Sequence, residues 1–218
     1  MFRHFFVLSA GILLAACVST AQVPIQADAA GKLGGRTLVQ SRYEKPSFSA
    51  TRPSRAMFGM IGAFAAISEG DELIATNKVE DPALAIGNEL AKRIGKTYRT
   101  QITKTDTQAD GDGVDDLAKT YGPGNLLLDI RTINWSFVYF PTDWEHYRVI
   151  YSAKLRLIDT QTKEVLAEGF CSRVPENSDT APTYDELIAQ NAARLKKELQ
   201  ISAQHCIDFF ARETLKLS

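Results

Sequence analysis

Apolar and polar positions divide the chain into three zones. Phe5 to Leu14 is apolar apart from Ser9 and Gly11. At roughly ten residues, this run is half of the ~20 that a bilayer-crossing helix needs. Up to Tyr121 the segments are short. Arg36 to Tyr43 alternates and predicts a first strand, and Ser47 to Thr51 a second. Asp81-Pro82 opens a helix, with Asp as the cap and Pro in the first turn. Ala83, Gly87, Leu90, Ala91, Ile94 and Tyr98 then recur at helical spacing and give it one core face. Tyr98 to Thr105 reads as a strand and Asp115 to Tyr121 as a short helix.

The third zone is longer in grain. From Asn125 to Phe140 an alternation set by Leu126, Leu128 and Ile130 changes phase near Thr132 and continues as Ile133, Trp135, Phe137 and Tyr139. A phase change inside one strand predicts a bulge or bend. In Tyr147 to Asp159 the residues Tyr147, Val149, Tyr151, Ala153, Leu155 and Leu157 face one way, and Arg148, Ser152, Lys154 and Arg156 the other. Asp159 to Lys163 is a turn and Glu164 to Val174 the return strand, so three antiparallel strands with one wet face are expected. Thr183-Tyr-Asp-Glu186 is a capping box. No Gly or Pro follows before Leu217, so a helix of about 34 residues, ~50 Å, is expected. Its seam is Ile188, Ala192, Leu195, Leu199, Ser202, Cys206 and Phe209. Strands of about 13 residues reach ~43 Å, which matches that helix. The expected fold is α+β: a two-layer α/β sandwich with a mostly antiparallel sheet and a long C-terminal helix on one face.

One apolar stretch fits neither period cleanly. Ala56 to Ile67 reads Ala-Met-Phe-Gly-Met-Ile-Gly-Ala-Phe-Ala-Ala-Ile. The expectation is a buried helix, with Gly59, Gly62, Ala63 and Ala66 permitting close approach to a neighbour. The other reading is a helix that docks on a partner or on a nearby leaflet, with Arg52 and Arg55 at its entrance.

The first zone carries the strongest motif. Arg3 precedes the apolar run, and small residues end it at Leu14-Ala15-Ala16-Cys17. Residues 1–16 therefore read as a secretory signal peptide, and the four-residue end resembles the bacterial lipobox. That resemblance implies cleavage before Cys17, a diacylglyceryl group on its sulfur, and acylation of the new amino terminus by fatty chains such as palmitate. Two or three chains hold a protein on a membrane where one holds only marginally. In that family an Asp after the cysteine favours the inner membrane. Val18 stands there instead, which points to a lipid anchor in the cell outer membrane, facing the periplasm.

Removing 16 of the 218 residues leaves 202, enough for one domain with a real core. Residues 17–35, small, polar and glycine-bearing, read as the lipidated cysteine and a flexible tether, and residues 36–218 as a single periplasmic α/β domain. Three cysteines are present. With Cys17 lipidated, Cys171 and Cys206 form an even pair in an oxidising compartment, expected as a disulfide with two buried thiols as the alternative.

Hydrophobic content of 44%, charged content of 23% and a net charge of -1 are those of a globular protein, with no electrostatic case for nucleic acid. Candidate chemistry is sparse. Gly95-Lys96-Thr97 mimics the end of a phosphate loop, but the first glycine of that motif falls on Leu90. An EF-hand register with Gly113 at its sharp turn puts Gln108 first and Lys119 at the bidentate position. His146 and His205 lack metal-ligand spacing. No metal, cofactor or catalytic set is expected.

The order of elements, with a leucine-rich strand after a short helix, then Ala153-Lys-Leu-Arg-Leu-Ile-Asp159 and Glu164-Val-Leu-Ala-Glu168, resembles the CsgG/TolB-amino-terminal group of periplasmic lipoproteins and the auxiliary lipoproteins of envelope lipid transporters. The resemblance implies an envelope lipoprotein and carries no ligand-binding residues. The expected function is a non-catalytic accessory or assembly factor for an envelope complex. The alternative is a carrier of lipid or another hydrophobic ligand, in a groove lined by the apolar helix and the face of Trp135, Phe137 and Tyr139. The candidate contact surface is Met57, Phe58, Met60, Ile61, Phe64, Trp135, Phe137, Tyr139 and Trp144.

Overall fold

In the computed structural model, residues 21–217 are described, so the signal segment and Cys17 lie outside the described residues. The elements are α1 (Ala27–Gly31), β1 (Thr37–Gln40), β2 (Ser49–Thr51), α2 (Pro53–Ala56), α3 (Gly59–Asn77), α4 (Pro82–Tyr98), β3 (Gln101–Thr103), α5 (Val114–Tyr121), β4 (Leu126–Phe140), β5 (Asp143–Asp159), β6 (Glu164–Arg173) and α6 (Tyr184–Phe209), with a π turn over Phe210–Thr214.

The three long strands form the expected antiparallel meander, and the mixed α+β architecture holds. The expected bulge lies between Thr132 and Asn134. Ile133 is the extra residue, left exposed, while Leu126, Leu128 and Ile130 before it and Trp135 and Phe137 after it all enter one core. Non-local pairing enlarges the sheet to six strands. β1 lies parallel between β3 and the start of β4, and β2 pairs in parallel with the far end of β4. The edge of β4 is thus covered twice, at Leu126–Leu128 and at Ser136–Val138.

The main core packs α4 and α6 on the sheet through Ile86, Leu90, Ile94, Leu195, Leu199 and Cys206. The opposite face is not wholly wet. Leu117 and Tyr121 of α5 bury against Val39, Leu127 and Ile158. Beside them the Arg156 guanidinium donates to Asp129 Oδ2 at 2.6 and 2.9 Å, and Tyr43 Oη donates to Asp129 Oδ1 at 2.6 Å. Burial and the Asp129 charge raise the Tyr43 hydroxyl far above its ordinary pKa.

Two expectations about the chain's ends are corrected. Residues 21–35, read as tether, are held on the domain. Val23 exchanges backbone hydrogen bonds with Glu168 at 2.7 and 2.8 Å, and Ile25 and Leu33 are buried. Their apolar side chains fill sites that a polar tether would leave open. At the other end α6 starts at the expected capping box, Thr183 with Glu186, but it is not one straight rod. Ala189 is extended, and Gln190, Asn191 and Ala192 have φ of 52°, 57° and 56°. Left-handed backbone costs an L-residue ~1–2 kcal/mol, here offset by seating Leu187 and Leu195 in the core on either side. The Cys171–Cys206 disulfide is present, with Cα atoms 5.5 Å apart, and joins β6 to α6.

Candidate functional site

The apolar stretch 56–67 spans the end of α2 and the first turns of α3, and it is not buried as expected. Met57, Phe58, Met60, Ile61 and Phe64 are between 65% and 82% exposed. Only a narrow stripe of α3 packs inward: Gly62, Ala66, Gly70 and Ile74. The stripe is small because the backbones almost touch. A Cβ on Gly70 would lie 2.0 Å from the Phe48 carbonyl oxygen, and one on Gly62 1.8 Å from that of Arg55. Arg52 and Arg55 ion-pair with Glu69, which fixes α2 on α3 and holds the Glu69 carboxyl below the usual range. Together the five exposed residues leave a patch of several hundred Å², the size at which an exposed apolar surface marks an interaction site.

The other candidate surface residues separate. Trp135 and Phe137 are core residues, 1% and 0% exposed, and this corrects their assignment to a surface. Phe48, just before β2, stands edge-on to both, at 5.1 and 5.7 Å, and Trp135 Nε1 donates to the Pro46 and Ser47 carbonyls. The signal missed in the sequence is Phe48, a single aromatic just ahead of a three-residue strand. Trp144 is exposed at the tight β4–β5 hairpin, with the half-buried Tyr139 at 6.1 Å. The parallel register of Thr51 with Val138 carries the chain into α2 at the level where β4 ends. The α2–α3 corner and the Trp144 hairpin therefore share one end of the sheet.

Where β1 has left β4 and β2 has not yet joined it, the segment Ser41–Ser47 bows out and opens a polar cleft of about 790 Å³. Its cations are already matched: Arg42 with Asp106, Lys45 with Glu80, and Arg131 with Asp112. At its floor Asp81 caps α4 by accepting from the Ala83 amide at 2.9 Å, and it also accepts from Thr132 Oγ1, which meets Tyr151 Oη at 2.9 Å. Burial raises the Asp81 pKa, partly opposed by those hydrogen bonds. His146 Nδ1 lies 2.7 Å from Asp143 Oδ2 beside the hairpin, with no nucleophilic side chain hydrogen-bonded to it among the described residues. Among the described residues no three His, Cys, Asp or Glu are grouped to hold a metal ion. No described helix is long and apolar enough to cross a membrane.

No family model matches the chain, and no curated protein does. Among solved structures, a Helicobacter pylori homologue of a neuraminyllactose-binding hemagglutinin is 8% identical over 88% of this chain and 91% of its own, at a TM-score of 0.38. The PelC dodecamer of Paraburkholderia phytofirmans is 9% identical over 89% and 94%, at 0.39. Lipoprotein GNA1162 of Neisseria meningitidis is 13% identical over 81% and 99%, at 0.28. Likenesses at these scores bear on neither mechanism nor partner.

Proposed function

We propose that this chain is a lipid-anchored lipoprotein of the cell outer membrane, facing the periplasm, that serves an envelope complex as a non-catalytic accessory. The sequence Leu14-Ala-Ala-Cys17 supports the anchor. The observation that carries this reading is the bare apolar corner of α2 and α3, a surface suited to contact within the envelope, with membrane or with protein. Such a surface works by contact. The carrier reading is weaker, because two of the aromatics meant to line its groove, Trp135 and Phe137, are packed against Phe48.

Metabolic labelling with a clickable palmitate analogue tests the anchor. The wild type takes up label, and Cys17→Ser loses it. A mature protein that stays unlabelled refutes the proposal. Native mass spectrometry of the purified lipoprotein tests the role: a copurified envelope protein supports the accessory, and a noncovalent lipid in the domain supports the carrier.

A further inference from the structure

We infer that the α2–α3 corner and the Trp144 hairpin are a second membrane contact, seated in the same leaflet that holds the lipid on Cys17. The inference rests on the anchor proposed above and adds to it a lipid occupant for the bare corner. Its basis is the direction and length of the chain that leads to the anchor. Val23 pairs antiparallel with Glu168, and Gln22 Nε2 donates to the Phe170 carbonyl. Upstream of Val23 the backbone thus runs along β6 toward Arg173, and so toward the hairpin end of the sheet.

Val23 stands opposite Glu168, level with Arg156 and Asp129 in the paired strands. From Asp129 to Phe140, passing over the bulge, is ten paired steps, ~34 Å. Cys17 is only six residues before Val23, a reach of at most ~21 Å. An interfacial element sinks ~5–10 Å into the headgroup–acyl boundary. Reach and depth together leave a few ångströms, which a modest tilt closes. A tether this short keeps the domain against the leaflet, and the direction of the chain at Val23 turns the hairpin end toward it.

The side chains at that end suit the position. Met57, Phe58, Met60, Ile61 and Phe64 supply apolar area, and Trp144 beside Tyr139 supplies amphipathic aromatic rings of the kind that favour membrane interfaces. The net charge of -1 gives no reason for anionic lipid, so insertion is driven by apolar burial and needs only zwitterionic lipid.

The chain has two tryptophans, one buried (Trp135) and one at the tip (Trp144), so its own fluorescence reads the contact. The mature lipidated protein is reconstituted in phosphatidylcholine vesicles with plain or brominated acyl chains, and acylation of Cys17 is checked by mass. Brominated chains should abolish the Trp144 part of the emission and leave Trp144→Phe unchanged. A benzophenone side chain at the exposed position 64 should give lipid adducts on irradiation. Unquenched Trp144 on a protein whose Cys17 is acylated overturns the inference and spares the anchor. Quenching that persists in Trp144→Phe, or a protein adduct from position 64, also overturns it. An unacylated Cys17 overturns inference and anchor together.

Discussion

Reduction of the Cys171–Cys206 bond separates the work of the cross-link from that of the side chains around it. The two cysteines are 35 residues apart, and closing a loop of that length in the unfolded chain is worth ~4 kcal/mol on the loop-entropy relation. Both residues are buried, so replacing them with Ala also removes sulfur packing, a further ~1–2 kcal/mol. The β6–α6 interface has other ties that reduction leaves intact. Arg173 lies 3.6 Å from Glu198 and donates to Ser202 Oγ at 3.4 Å. The folded structure should therefore survive while the unfolded ensemble expands. Urea unfolding at pH 7 is measured on oxidised wild type, reduced wild type and the Cys171→Ala/Cys206→Ala double variant. Reduction should lower the unfolding free energy by about 4 kcal/mol and the double variant by about 5–6 kcal/mol, with the larger m-value in both. A loss under ~1 kcal/mol on reduction shows that the bond does not constrain the unfolded chain and refutes the reasoning.

Two further outcomes test the interior. Burial raises the Asp81 pKa in the folded state above its unfolded value. Its contribution is fully present below the unfolded pKa and is lost as pH rises through the folded one. Asp81→Asn keeps an acceptor for the Ala83 amide and Thr132, so its urea midpoint minus that of wild type should grow from pH 4 to pH 7; a constant difference refutes the assignment. Gln190 is exposed with φ 52°, so Gln190→Gly should stabilise by ~0.5–1 kcal/mol, whereas in a continuous helix it would destabilise by about as much. The sign of the shift in thermal midpoint therefore decides whether α6 is broken.

What the sequence disclosed was local. The side-chain period of two makes a slip visible, so the change of phase near Thr132 announced a bulge or bend before any partner strand was known, although Ile133, counted there with Trp135 and Phe137, is itself the extra residue. Asp81 before Pro82, and Thr183 with Glu186, announced their helix starts because a cap is made within four residues. What stayed hidden depends on distant chain. The parallel pairing of β1 and β2 with one strand rests on register across roughly ninety residues. Gln190, Asn191 and Ala192 carry no Gly or Pro to mark the break in α6. Val23, Ile25 and Leu33 are single apolar residues in a polar stretch, and only what they meet, Glu168 for Val23, Thr214 for Ile25 and the main core for Leu33, shows that they belong to the fold. An apolar run was read as core because burial is the commoner fate of such side chains.

The exposure of that run follows from the register of β2. Ser49, Ala50 and Thr51 pair with Ser136, Phe137 and Val138, two residues short of where β4 ends at Phe140. A chain leaving Thr51 in that direction overshoots the sheet within one turn of helix, so α2 has no strand beneath it. To return, α3 must cross back over β2, and Gly70 lets it do so at backbone contact with Phe48. That contact lies eleven residues, about 16 Å, along the helix from Gly59. The first turns of α3 therefore project beyond the sheet however apolar they are, with only Arg55 of α2 against Gly62. Were β2 paired with Leu128 to Ile130 instead, α2 would lie over the bulge and the same Met, Phe and Ile side chains would reach the sheet. The apolar corner is thus a product of strand register, and the register puts it at the end toward which the chain runs upstream of Val23.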